Sequence, residues 1–143
     1  MPFDSLGGPD RDPDDADLLI AARNLIDFPG AWIKHAYYRQ EHGQKRFCAM
    51  GALAVACDSG FAFPSRKAHR LARYLVNEMP RRGGYLLRYI SAPMRVRAYN
   101  DSSNTTQNEV ITLFDKAIQR LAPYRSSWPV KAHAILDGGG NRV

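Results

Sequence analysis

The sequence predicts an all-α fold for the most part, a single compact helical domain around a buried central helix at 47–57, with one short extended arm near 94–99. Three observations carry this. Residues 47–57 form the longest uncharged run of the chain, with Met50, Leu53, Ala54 and Cys57 spaced i, i+3, i+4 and i+7 as on one helical stripe. Thr106-Gln107-Asn108-Glu109 is a capping box, followed by Val110, Leu113, Phe114, Ala117, Ile118 and Leu121 on one face. Between these, Ser65 stands as an N-cap before Ala68, Leu71, Ala72, Leu75 and Met79, again at helical spacing. A helix apolar on all sides packs at the centre, and 47–57 is too short to span a membrane.

In chain order, residues 1–11 are rich in Pro, Gly and Asp and are expected to be mobile. The helical domain is expected over 12–136, with a frayed tail at 137–143. Asp12-Pro13-Asp14-Asp15 has the form of a helix start, with an N-cap Asp, Pro at N1 and carboxylates in the electropositive first turn. Leu18, Leu19, Ala22, Leu25 and Ile26 supply its buried stripe, and Pro29-Gly30 ends it. Residues 31–39 are read as a second short helix with Trp32, Ala36 and Tyr37 inward. Residues 40–46 then form a polar loop leading into the central helix. After Asp58-Ser59-Gly60, a stop signal, Phe61-Ala62-Phe63-Pro64 links to the helix behind Ser65. Arg66, Arg70, Arg73 and Asn77 make a second, exposed stripe on that helix. Arg81-Arg82-Gly83-Gly84 is a basic turn, and 85–90 suits a short helix or a strand. Ser91-Ala92-Pro93 reads as a break, and Met94-Arg95-Val96-Arg97-Ala98-Tyr99 alternates with period two, as an extended segment does. Trp128 and Pro129 precede a weak apolar group at Val130, Ala134, Ile135 and Leu136.

Composition bounds the function. At 143 residues, 45% apolar and 24% charged, the chain is an ordinary globular domain that needs no metal or disulfide to fold. With no signal peptide and no spanning segment, the expected setting is cytoplasmic, away from membranes. Cys48 and Cys57 on one helix would lie roughly 13 Å apart, beyond disulfide reach. Their spacing is not that of zinc ligands either. The net charge of +6 is uneven: residues 1–30 carry seven Asp against two Arg, and residues 65–97 carry nine Lys or Arg against Glu78. Either the acidic N-terminus folds onto the basic middle, or the basic middle meets an anionic partner.

Two landmarks together look familiar. Cys48-Ala49-Met50-Gly51-Ala52-Leu53 is followed some fifty residues on by Tyr99-Asn100-Asp101, the pair Thr105 and Thr106, and an amphipathic helix. This resembles an uncharacterised family of small helical domains of bacteria and their phages, with a Cys-x-x-Gly-Ala-Leu helix and an aromatic-Asn-Asp turn. The family turn more often carries Trp where this chain has Tyr99. The resemblance, over residues 14–121, implies a helical fold in an intracellular setting and no assigned activity, hence no catalytic residues.

Two functional readings remain, from different classes. In the first, Arg66, Arg70, Arg73, Arg81, Arg82, Arg95 and Arg97 form an Arg-rich face, with Tyr74, Tyr85 and Tyr89 interleaved, that holds an anionic macromolecule: nucleic acid or an acidic protein surface. Changing Arg70 and Arg73 to Glu is then expected to abolish binding and leave the fold intact. No zinc finger, RNP motif or helix-turn-helix accompanies these residues, and a solvated basic face is the plainer account. In the second, Cys48 at the start of the central helix is a thiol nucleophile, with His69 or His35 as base and Asn100 or Asp101 as orienter. A core cysteine and a structural turn explain the same residues more simply. The Gly-rich stretches lack the context of a phosphate loop, so no cofactor is expected. The favoured reading is a non-enzymatic binding or accessory protein, with oligomeric state open.

Overall fold

The computed structural model describes residues 14–80 and 90–124. Among these residues five helices and one hairpin follow in order: α1 (Asp15–Leu25), β1 (Tyr38–Glu41), β2 (Gln44–Phe47), α2 (Ala49–Ala56), α3 (Arg66–Glu78), α4 (Ala92–Asp101) and α5 (Gln107–Leu121), with a short 3₁₀ turn over Ala122–Tyr124. The fold is mostly α-helical, as the sequence predicts. The N-terminal segment, the Arg81-Arg82 turn, residues 85–89 and the tail from 125 onward lie outside the described residues.

Helix α2 is the hub. Ala49 through Ala54 are all buried, and it packs against α1, α3 and α4. Small side chains make this possible, because they let three helices approach one short axis. Leu19 and Ile26 of α1, Leu71 and Leu75 of α3, Val96 of α4, and Val110 and Phe114 of α5 complete the core around Met50 and Leu53. Helices α3 and α5 begin where the sequence places them. Ser65 accepts from the Ala68 N–H at 3.2 Å, and Thr106 and Glu109 form both halves of the capping box.

Three segments differ from expectation. Residues 94–99, expected as an extended arm, lie within helix α4. Ser91 caps it and Pro93 sits in its first turn, so the Pro that reads as a break is a start. Pro93, Val96 and Asn100 are buried at i, i+3 and i+7, a stripe that the alternating Arg residues mask in the sequence. Residues 31–39 are not a helix. Ala31 and Ile33 exchange backbone hydrogen bonds with Phe47, and His35 at φ 66° would interrupt any helix there. Residues 40–46 are not a loop either: β1 and β2 pair antiparallel from Tyr38↔Phe47 to Glu41↔Gln44. The turn between them is His42-Gly43, both at positive φ, the geometry of a two-residue hairpin turn. Helix α1 is described from Asp15 with Asp14 before it; the Asp12-Pro13 start expected from the sequence lies outside the described residues.

Polar ties join the helices at their rims. Arg23 of α1 donates from Nε to Asp115 of α5, and Arg120 of α5 donates to Glu78 of α3. The Gln107 side chain donates to the carbonyls of Ile26 and Phe28, closing the C-terminal end of α1. The most buried tie is Asp15. Its carboxylate receives Arg70 Nε and Nη2 at 2.8 and 2.9 Å and the Tyr74 hydroxyl at 2.8 Å. Part of the acidic N-terminal half thus does fold onto the basic helix, and Arg70 is a structural residue, not a member of an exposed stripe. Arg70→Glu is therefore expected to destabilise the fold by about 3–5 kcal/mol, because it sets a carboxylate against a buried one. A large drop in the urea midpoint by circular dichroism would show it; an unchanged midpoint would mean that the pair contributes little.

Candidate functional site

Asn100 brings the two sequence landmarks together. It stands in the last turn of α4, not in a free turn, and its side chain is fully buried. Its Oδ1 accepts from Trp32 Nε1 at 2.6 Å and from the Ala49 backbone N–H at 3.0 Å. Its Nδ2 donates to the Ile33 carbonyl and to Asp101 Oδ1, each at 3.0 Å. An amide has two donors and two acceptor sites, and all four are used. One side chain thereby joins the 31–37 segment, the start of α2 and the end of α4. The neighbouring Asp101 carries the junction outward. Its Oδ1 also accepts from the His35 backbone N–H at 2.8 Å, which fixes that residue in its left-handed conformation, and the exposed His35 ring lies 3.8 Å from its Oδ2.

The Cys-x-x-Gly-Ala-Leu motif is explained by the same junction. Cys48 is the N-cap of α2: its Sγ accepts from the Gly51 N–H at 3.3 Å, and its own N–H donates to the Tyr37 carbonyl at 3.2 Å. Gly51 lies against that Tyr37 carbonyl, and a Cβ there would overlap the backbone oxygen. Ala52 and Leu53 are wholly buried. Each position of the motif therefore answers to packing or capping.

As a nucleophile Cys48 is poorly served. It is 2% exposed, and burial pushes its thiol up, although the Gly51 and Met50 N–H groups pull it down. Asn100 reaches the Ala49 N–H beside it and makes no hydrogen bond to the thiol; the half-buried His69, on α3, makes none to Cys48 or Asn100. Cys57 is the C-cap that follows α2, and burial also pushes its thiol up. Both cysteines are free. Among the described residues, no three His, Cys, Asp or Glu side chains are grouped to hold a metal, and no helix is long and apolar enough to cross a membrane.

The basic residues divide into three sets. Arg66, Lys67 and Arg73 are exposed on α3 and make no ion pair among the described residues. Arg70 serves Asp15, as above. Arg97 lies over the Tyr37 ring at 4.5 Å and donates to its hydroxyl at 3.0 Å, and that ring stacks on Phe61 at 5.5 Å. Arg95 lines a groove of about 210 Å³ with Met79, Pro80, Ile90, Ala98, Tyr99 and Ser102. That is below the roughly 300–1,000 Å³ of small-molecule sites. Arg81 and Arg82 lie outside the described residues. Two features were beyond sequence reasoning: the Arg97–Tyr37–Phe61 stack, and the Lys34 Nζ bond to the Ser102 carbonyl at 2.6 Å. Each joins residues at least 24 positions apart, without a local pattern.

Asn100→Ala leaves the Trp32 and Ala49 donors and the Ile33 carbonyl without this partner, and is expected to cost about 3 kcal/mol. A fall in melting temperature, with a shift of Trp32 emission, would show it; a wild-type melting curve would exclude a structural role. For Cys48, iodoacetamide labelling of a Cys57→Ala variant is expected to proceed only as fast as the protein unfolds, and to speed up in urea. Rapid labelling of the folded protein, with a midpoint below the usual thiol value of about 8.5, would instead reveal an activated thiolate.

No curated protein and no solved structure matches this chain. A family model does, over residues 10–120, most of the sequence. The two landmarks that Asn100 joins lie within that span, and the chain belongs to the family of unknown function DUF6197.

Proposed function

We propose that this is a non-enzymatic binding protein that holds an anionic macromolecule against the basic face of α3. The observation that carries this is the direction of charge along that helix. Helix α1 has Asp15 and Asp17 in its first turn and Arg23 in its last, and α5 has Glu109 first and Arg120 last. Both orders suit the helix dipole, which is positive at the N-terminus. Helix α3 reverses the order. Arg66 and Lys67 open it, no acidic residue occupies its first turn, and Glu78 closes it. Exposed cations at that end cost a few tenths of a kcal/mol each and gain nothing from a carboxylate partner among the described residues. Residues that break a local rule without a compensating contact mark a functional surface. The added cations and the dipole make one concentrated positive region, with Arg73 two turns further along.

Arg70 supports this face from beneath through Asp15, and Arg95 and Arg97 are on the helix packed beside it. The thiol-hydrolase reading gains no such support, since its nucleophile is sealed and its base is not in place.

Heparin is a suitable polyanionic probe. Replacing Arg66, Lys67 and Arg73 together by Ala removes three exposed cations and no described polar contact. The triple variant is expected to melt like wild type, elute from heparin at lower salt, and lose up to about three from the slope of log K against log salt. If its elution and slope match those of wild type, the α3 face is not the binding surface.

A further inference from the structure

The loop between α2 and α3 presents one aromatic ring to solvent just ahead of these cations in the chain. Phe63 is 88% exposed, the highest value among the large apolar residues described. The loop that carries it is built and closed. The Ser59 N–H donates to the Ala54 carbonyl at 2.8 Å, behind Asp58 in a left-handed conformation. At the base, Ser59 Oγ accepts from the Ser65 N–H at 2.7 Å and donates to the Gly60 carbonyl at 3.1 Å. Phe61 folds inward and lies parallel to Tyr37, at an interplanar angle of 6°. Phe63, two residues on, is left outside. Pro64 follows it and restricts its backbone to extended conformations. Ser65 then caps α3, and Arg66 and Lys67 come next, so the ring lies three residues from the first exposed cation.

We infer that Phe63 is a stacking platform for a base of an unpaired nucleic-acid strand whose phosphates lie along Arg66, Lys67 and Arg73. This rests on the basic-face reading above and names its partner. Aromatic rings beside a positively charged track are what single strands require, because every unpaired base offers a flat face and every linkage a phosphate. A duplex hides its base faces and has no use for the ring. An acidic protein surface would use the cations and would not call for an exposed aromatic ring just ahead of them in the chain.

The test measures binding of fluorescein-labelled dT20, rU20 and a 20-base-pair duplex by anisotropy, with heparin affinity alongside. Wild type is expected to prefer a single strand to the duplex. Phe63→Ala is expected to weaken strand binding on the order of tenfold while heparin affinity stays the same, and Phe63→Trp to retain strand binding. Since the ring is exposed, both variants are expected to melt as wild type does. Strand affinity unchanged by Phe63→Ala, or a preference for the duplex, would overturn the inference. Heparin binding that still depends on Arg66, Lys67 and Arg73 would then leave the basic-face reading standing. Loss of that dependence would remove both.

Discussion

The four hydrogen bonds of the Asn100 side chain are what the rest of the structure depends on. Helix α2 is short and made of small residues, so it offers little side-chain surface by which neighbours can be positioned. Its first free N–H, that of Ala49, is satisfied by an amide 51 residues away along the chain but adjacent in space, and the same amide holds Trp32 and the Ile33 carbonyl. A buried amide with every donor and acceptor used is specific in a way that apolar contact is not. It accepts one arrangement of three segments and penalises the others by leaving polar groups unpaired. Gly51 adds a steric condition to the same place, because the Tyr37 carbonyl occupies the space a side chain would take.

Charge plays two different parts along α3. Arg70 is turned inward to a buried carboxylate, where the ion pair and the Tyr74 hydroxyl together satisfy Asp15. Arg66 and Lys67 are turned outward at the end of the helix where the dipole already repels them, and Arg73 is exposed two turns further along. Neighbouring arginines on one helix are therefore not equivalent. The inward one secures α1 to the core, and the outward ones are exposed and make no ion pair among the described residues. Phe63 belongs with the second group, since the loop that carries it is closed by Ser59 and Ser65 while its ring stays in water.

Much of this was legible in the sequence where local chemistry decides. The capping box at Thr106 and Glu109, the Ser65 cap and the apolar stripes of α1, α3 and α5 all appear where spacing and caps put them, because a helix terminus needs nearby acceptors and a buried face needs 3.6-residue repetition. Residues 31–47 and 92–101 were misread because their local signals point both ways. A proline after a serine ends one helix or starts another, and Arg residues alternating with apolar ones look extended until Pro93, Val96 and Asn100 are seen to share a buried side. His42-Gly43 is a hairpin signal only once its flanking strands are known to pair.

The amino-acid sequence by itself determined the helical class, the central place of a helix expected at 47–57 and found at Ala49–Ala56, and the existence of a basic region, because these follow from side-chain volume, periodicity and charge within short windows. Tertiary structure alone decided which polar residues are structural and which are exposed. Cys48, Asn100 and Arg70 became a cap, a junction and a buried ion pair through partners 3 to 68 residues distant. Burial and hydrogen bonding across such separations depend on how the helices pack, and no local pattern records that.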